Sequence, residues 1–197
     1  MNKIIERLLE NDKVPDFLIR NKIVQLLEVR LKDETLANRE LQQQHLMKII
    51  DDLKQSPIAI ETLAANEQHY EVPTAFFKMV MGQHMKYSSC YWTPETKTLS
   101  EAETLALEKT CAHAELQDGI QILELGCGWG SLSMFMAAKY PNAQITGVSN
   151  SATQKEYIDA TCAQRGLKNV RIITADMNVF ALEEKFDRVV SVEMFEH

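Results

Sequence analysis

The chain has 197 residues, of which 45% are hydrophobic and 25% are charged, and its net charge is −7. It contains no basic patch for nucleic acid and no apolar run long enough to cross a bilayer, so we predict neither a nucleic-acid partner nor a transmembrane segment. The four cysteines lack paired spacing and no secretory signal is visible, so we expect no metal site and a cytoplasmic protein.

The first 57 residues have the pattern of a helical region. Pro15 is suited to the start of a helix, and apolar residues then recur at helical spacing. A second helix follows and ends at Ser56-Pro57, because the residue before a proline disfavours helical backbone. We predict that residues 1–57 form a packed helical bundle.

Residues 58–116 are predicted to form a helical cap that contributes to an acceptor pocket. Thr74 is the expected cap of a short helix that ends before Gly82. Ser100 and Glu103 have the spacing of a capping box, in which each side chain accepts a hydrogen bond from the other residue's backbone. A helix is expected to follow as far as about residue 115.

From Ile120 onward, short β-branched runs alternate with helical segments. The predicted strands lie at about 120–125, 144–149, 170–175 and 187–193. Runs that are apolar throughout indicate parallel strands buried on both faces. Residues 117–197 therefore predict a doubly wound α/β sheet of the Rossmann-like type, with the fourth strand beside the first.

A glycine-rich loop follows the first predicted strand. Gly126, Gly128 and Gly130 allow positive φ angles and close approach of a ligand to the backbone. Glu124, just before the loop, can accept a hydrogen bond from an ammonium such as that of S-adenosylmethionine, whereas it would repel a pyrophosphate. The loop therefore predicts a nucleoside-cofactor site, with a plain tight turn as the alternative.

The ends of the second and third strands carry further candidate cofactor ligands. Ser149, Asn150 and Gln154 can supply neutral hydrogen bonds to ribose hydroxyls, at the position where many nucleoside-binding proteins use a carboxylate. Asp176 is placed to accept from an adenine amino group, and Met177 to pack on the ring. The alternative for Asp176 is a local turn closed by its own side chain.

Several motifs resemble one enzyme family. The segments ILELGCGWGSLS, GVSNSATQKEYI, ITADMNVF and VVSVEMFEH are similar to the cyclopropane fatty acid synthase family of class I S-adenosylmethionine-dependent methyltransferases. HYEVPTAFF and YSSCYW resemble the helical motifs that precede the Rossmann-like domain in that family. The resemblance covers about residues 58–197. It implies cofactor contacts by Tyr87 and Ser88 and an acceptor pocket near Ser89, with Tyr70 either lining that pocket or serving a structural role.

Two branches of this family differ at recognisable positions. The cyclopropane synthases resemble YSCAYW at the first motif, with a cysteine that helps to hold bicarbonate where this chain has Ser89. They also tend to have glycine where this chain has Glu193. EMFEH and NSATQK look more like the branch of coclaurine-type N-methyltransferases. In that branch the residues that match Glu196 and His197 serve the acceptor amine.

The chemistry of methyl transfer to an amine explains why these residue types matter. A protonated amine has no lone pair, so a nearby base must take its proton or stabilise the partly positive nitrogen. Glu193, Glu196 and His197 follow the fourth strand, at the sheet edge where ligands of open α/β proteins bind. The alternative is a solvated acidic strand end with an incidental histidine.

These observations predict an S-adenosylmethionine-dependent methyltransferase that N-methylates a small amine. The first rival is methylenation of an unsaturated lipid, for which the Met-rich stretch FFKMVMGQHM could line an apolar groove. The second rival is a non-catalytic cofactor-binding protein. A homodimer is left open. Because only four strands are present, we expect a longer enzyme whose sheet continues, and no methyl transfer by these residues alone.

Overall fold

The computed structural model describes residues 3–36, 38–60, 73–87 and 89–194. It divides into two compact units, Met1–Ser56 and Pro57–His197. The three-part division that we expect from the sequence stays a prediction. Of the helices in these described ranges, none combines the length and the apolar character needed to span a bilayer.

The first unit contains helices α1 (Lys3–Glu10), α2 (Asp16–Glu34) and α3 (Arg39–Gln55). The predicted helix start at Pro15 and the predicted stop at Ser56 are confirmed, since these residues directly flank α2 and α3. Asn38 caps α3 by accepting a hydrogen bond from the backbone of Leu41 at 2.9 Å. Local signals therefore fix where these helices begin and end.

The prediction of a packed bundle in this unit is wrong for the described structure. No residue of α2 or α3 is buried, and Leu31 on α2 is 65% exposed. Helical spacing of apolar residues predicts a helix, but it does not specify a partner that covers those residues. In the described ranges the apolar residues of α2 are spread around the helix instead of forming one face, and none in either helix is buried.

In the described part of the second unit, helices α4 (Thr74–Val80) and α5 (Leu99–His113) precede the strands. The predicted cap at Thr74 is wrong, because Pro73 is the capping residue and no side chain caps this end. The capping box also lies two residues before the predicted one. Thr98 and Glu101 form it, while Ser100 and Glu103 lie inside the helix. Glu103 is thereby available for another role.

Four parallel strands form the sheet of the second unit. They are β1 (Gln121–Leu125), β2 (Gln144–Ser149), β3 (Val170–Thr174) and β4 (Arg188–Ser191), arranged in the order β3-β2-β1-β4. Helix α6 (Ser131–Lys139) connects β1 to β2, and helix α7 (Ala152–Arg165) connects β2 to β3. The predicted Rossmann-like sheet is confirmed, including the position of β4 beside β1.

Two apolar clusters hold the helices against this sheet. In the first, Leu107 of α5 and Met136 of α6 pack with Ile122 and Ile145 of the two central strands. In the second, Ile158 of α7 packs with Ile172 of β3, Met134 of α6 and Cys127 after β1. Because the strands are parallel, the carboxyl ends of β1, β2 and β4 meet at one edge, where an open α/β sheet binds its ligands.

Candidate functional site

A pocket lies at the carboxyl ends of β1 and β4. Its floor is the glycine loop, and its walls come from α5, from the start of α6, from the end of β4 and from the segment before α5. The lining residues are Met85, Lys86, Tyr87, Leu107, Thr110, Glu124, Gly126, Cys127, Gly128, Trp129, Ser131, Leu132, Gln154, Val192 and Glu193. The structure thus brings Tyr87, Glu124, Gly126, Gly128, Gln154 and Glu193 of the predicted site together.

The three glycines of the loop serve different purposes. All have positive φ angles of 51° to 75°. A Cβ at Gly126 would meet Met194, and a Cβ at Gly130 would meet Ile158. A Cβ at Gly128 would meet no atom of the described structure within 4 Å. Gly126 and Gly130 therefore permit close packing, whereas Gly128 keeps space open in the pocket.

Glu124 is a buried carboxyl at the end of β1. Its Oε2 accepts a hydrogen bond from the Ser133 hydroxyl on α6. Burial raises the pKa of Glu124 to about 7, against the opposing effects of this hydrogen bond and of the positive charge on Lys86. Near neutral pH the group therefore exists both as the acid and as the carboxylate.

A second carboxylate faces the same pocket from the end of β4. Glu193 lies 3.9 Å from the ammonium of Lys86, measured from Oε1 to Nζ. Its backbone has a φ angle of 54°, a conformation that side-chain-bearing residues rarely adopt. With this backbone conformation, Glu193 at the end of β4 lines the pocket.

Three buried polar atoms around the glycine loop have no hydrogen-bond partner in the described structure. They are the indole Nε1 of Trp129, the hydroxyl of Ser131 and the side-chain Nε2 of Gln154. Buried polar groups are nearly always satisfied, because an unmade hydrogen bond costs about 1–3 kcal/mol. All three residues line the pocket. They fit a polar ligand such as the nucleoside cofactor that the sequence predicts.

The residues at the end of β2 and just after it have different roles in the structure. The Ser149 hydroxyl donates to Oε1 of Gln154 at 2.6 Å and accepts from the backbone of Ser151 at 3.0 Å. Ser149 thus orients Gln154, whose Nε2 is directed to the pocket, and does not itself line it. Ser151 caps α7, because its side chain accepts a hydrogen bond from the backbone of Gln154 at 3.3 Å. Asn150 is exposed and lies outside the pocket lining.

The residues after β3 also lie outside the pocket lining. The carboxylate of Asp176 accepts a hydrogen bond from the backbone of Asn178 at 2.8 Å, so the local turn considered for it is formed. The Asn178 side chain in turn bonds both backbone groups of Ala59. Met177 is half-buried. A role of Asp176 and Met177 at an adenine ring stays a prediction.

Of the remaining predicted site residues, the structure describes Ser89 alone. Ser89 is exposed and has a φ angle of 55°, and it does not line the pocket, although Tyr87 does. Tyr70, Ser88, Glu196 and His197 lie outside the described residues, so their predicted roles stay predictions.

The carboxylate of Glu103, which we predicted to belong to a capping box, is buried and supports the site. Glu103 of α5 is fully buried and accepts three backbone hydrogen bonds from the segment that lines the pocket. These come from Gly82 at 3.1 Å, His84 at 2.8 Å and Lys86 at 3.0 Å. Glu103 therefore fixes residues 82–86 against α5, which places Lys86 and Tyr87 in the lining.

We expect Glu103→Gln to destabilise this unit. Glutamine retains one acceptor oxygen but turns an amide donor toward one of the three N–H groups, and an unpaired buried donor costs about 1–3 kcal/mol. Urea unfolding should show a lower midpoint with an unchanged slope. Glu101→Gln is the matched control, because a glutamine also serves at that capping position. An equal midpoint for wild type and Glu103→Gln would contradict this role.

The sequence reading missed other members of the site. Lys86 directly precedes the Tyr87 motif, and Trp129 stands between two of the loop glycines, so both were near recognised signals. Ser133 on α6 gave no local signal, since its role depends on Glu124 across the fold. Local patterns thus located the loop but not the groups that surround it.

Comparison with known proteins extends over most of the chain. Residues 59–197 match the family model described as mycolic acid cyclopropane synthetase. An (S)-coclaurine N-methyltransferase from Thalictrum flavum subsp. glaucum is 39% identical over 196 residues, which are 98% of this chain and 54% of that protein. The cyclopropane-fatty-acyl-phospholipid synthase of Escherichia coli (strain K12) is 35% identical over 131 residues, which are 66% of this chain and 32% of that protein.

A solved structure is similar over nearly the same range. It is a crystal structure of coclaurine N-methyltransferase bound to N-methylheliamine and SAH, with a TM-score of 0.92 and 36% identity, covering 98% of this chain and 56% of that one. The chain spans about half the length of the coclaurine N-methyltransferases that it matches.

Proposed function

Because the chain belongs to the mycolic acid cyclopropane synthetase family, as its motifs predict, we propose that it carries the cofactor site of an S-adenosylmethionine-dependent methyltransferase. We further propose that the acceptor is a small amine and that the protein works in the cytoplasm. The observation that carries the proposal is the pocket that Glu124, Glu193 and the glycine loop line together.

The residues of the loop suit the cofactor. Glu124, as a carboxylate, accepts a hydrogen bond from an ammonium, and Gly128 leaves room beside it. The polar atoms of Trp129, Ser131 and Gln154 that have no partner among the described residues offer hydrogen bonds to the remaining polar groups. S-adenosylmethionine supplies an electrophilic methyl group when bound. These residues would hold the cofactor.

The acceptor side of the proposal depends on the residues that follow β4. Glu193 attracts a protonated amine, because its carboxylate lines the pocket. Glu196 and His197, whose roles are inferred from the sequence motif, would take the amine proton and stabilise the partly positive nitrogen. Positioning the lone pair in line with the methyl group is a large part of such catalysis.

The lipid alternative has less support. It would use the Met-rich stretch as an apolar groove, but Met85 is buried against Phe77 and Trp129, while Met79 is 84% exposed. The relative that acts on fatty-acyl phospholipid also matches a smaller share of this chain than the coclaurine N-methyltransferase does. An amine acceptor is therefore the proposal.

Deuterated cofactor distinguishes the two reactions. The protein that carries this chain would be given methyl-deuterated S-adenosylmethionine with cyclic secondary amines or with unsaturated phospholipids, and products would be read by mass spectrometry. N-methylation keeps all three deuterium atoms, whereas formation of a cyclopropane from an alkene loses one of them. We expect the fully labelled amine. A cyclopropane product would establish the lipid reaction, and cofactor binding without any product would indicate a binding protein.

A further inference from the structure

The pocket contains an ion pair between two of its lining residues. The Nζ ammonium of Lys86 lies 3.9 Å from Oε1 of Glu193. The lysine side chain is only 9% exposed, whereas that of Glu193 is 28% exposed. A lysine is rarely buried to this extent without an opposite charge nearby, because burial of an isolated ion is costly. The carboxylate of Glu193 supplies such a charge.

The backbone places Lys86 beside Glu193 without the help of a ligand. The N–H of Lys86 donates to the buried carboxylate of Glu103 at 3.0 Å, and the N–H of His84 donates to the other oxygen of that carboxylate at 2.8 Å. Lys86 is therefore anchored from α5, while Glu193 follows the end of β4. The ion pair thus connects two walls of the pocket.

The pair is electrostatic, and a ligand can reach its carboxylate. The separation of 3.9 Å exceeds the length of a hydrogen bond, so the two groups attract each other without forming one. Glu124, the other acid among the described lining residues, is buried and accepts from Ser133. Glu193 is therefore the acid that an entering ligand meets more readily. A cation that binds there finds a carboxylate that already has a positive partner.

We propose that Lys86 is a specificity-determining residue of the acceptor site, where it acts as the counter-ion of Glu193 and disfavours permanently charged ligands. This inference rests on the proposed function, since it supposes that the acceptor amine binds at Glu193. A ligand cation gains the attraction of Glu193 but is repelled by the ammonium beside it. An amine that loses its proton avoids this repulsion, and its free base is also the form that accepts a methyl group. A quaternary ammonium keeps its charge and cannot avoid it.

The test compares a permanent cation with an uncharged ring of similar size. The probes are N,N-dimethylpiperidinium and N-acetylpiperidine, titrated by calorimetry into the protein that carries this chain, with S-adenosylhomocysteine at saturation. Lys86→Met should bind the cation about tenfold more tightly than the wild type does, because the competing positive charge is gone and close charge pairs contribute at least this much. The affinity for N-acetylpiperidine should not change.

Further variants assign this effect to the pair. Lys86→Arg keeps the positive charge and should bind the cation like the wild type. Lys168→Met removes an exposed lysine before β3 and should have no effect. Glu193→Gln should bind the cation about tenfold less tightly than the wild type, whether or not Lys86→Met folds, and adding Glu193→Gln to Lys86→Met should remove the gain in affinity.

Two results would overturn the inference. Cation affinity that is equal or weaker in Lys86→Met would mean that Lys86 does not oppose a cation at Glu193. A gain in affinity that persists when Glu193→Gln is added would mean that the cation binds elsewhere, for example at Glu124. The deuterated cofactor tests the proposed function separately. Absence of a methylated amine would remove that function, whereas a methylated amine together with either of these two results would remove only the role of Lys86.

Discussion

Gly128→Val is expected to abolish cofactor binding while the fold is retained. The Cβ position at Gly128 is open and lies in the pocket, so a valine side chain would occupy the space that the ligand needs. Inserting extra atoms into a fitted site costs at least about 1–3 kcal/mol, which corresponds to an affinity at least about 5- to 150-fold weaker. Calorimetry with S-adenosylhomocysteine measures this directly.

A matched variant distinguishes the effect of backbone strain at Gly128 from the effect of filling the pocket. Gly128 has a positive φ, so any side chain there also adds about 1–2 kcal/mol of strain. Gly119 has a φ angle of 82° and an equally open Cβ position, but it lies in the turn before β1, away from the pocket. Gly119→Val should therefore lose stability and keep its affinity. Equal affinity in Gly128→Val would show that the ligand binds elsewhere.

His197→Ala and Glu196→Ala are expected to slow methyl transfer by about 10²- to 10⁴-fold, the usual contribution of an acid–base group. Their affinity for S-adenosylhomocysteine should remain near that of the wild type, because the proposed cofactor groups precede them in the chain. Single-turnover rates with methyl-labelled S-adenosylmethionine and a small amine, measured on the protein that carries this chain, report the chemical step without product release.

His113→Ala is the control for these variants, since His113 is an exposed histidine at the end of α5. It should turn over like the wild type. Rates within about threefold of the wild type for both His197→Ala and Glu196→Ala would leave the pair without a role in proton transfer, which usually contributes far more. Equal losses of rate and of cofactor affinity would assign these residues to binding instead.

The sheet could be predicted closely from the sequence because its signals are local and redundant. Apolar β-branched runs mark strands that are covered on both faces, and the glycines mark the turn after β1. The order of the strands follows from the right-handed crossover rule. The strands that pair with β1 could therefore be predicted from the sequence. The edge of the sheet at which ligands bind follows from this order.

The capping box shows where local patterns become ambiguous. Two overlapping patterns occur, one from Thr98 to Glu101 and one from Ser100 to Glu103. Both satisfy the spacing, so the sequence alone does not choose between them. The choice depends on the distant backbone groups that Glu103 accepts from, because those bonds bury its carboxylate. Tertiary contacts thus decide between two equivalent local solutions.

The pocket could be predicted only in part for the same reason. Glu124 and the glycines follow a strand, and strand ends are recognisable sites. Lys86 comes from a connecting segment without regular structure, and its burial depends on Glu103. The exposed apolar residues of α2 and α3 show the converse case. There, spacing identified the helices correctly but could not supply a partner that buries their apolar residues.

The left-handed backbone at Glu193 lowers the stability of the fold, whereas the side chain of this residue places a carboxylate in the pocket. A side chain there costs about 1–2 kcal/mol relative to glycine, which adopts this conformation freely. Selection for thermal robustness alone would favour glycine at position 193, and the strand end would not need to rearrange. Retaining the glutamate keeps a carboxylate in the pocket at the expense of robustness. If Glu193 attracts the acceptor amine as we propose, exchange of glutamate for glycine at this position would change the acceptor that the pocket prefers without altering the fold.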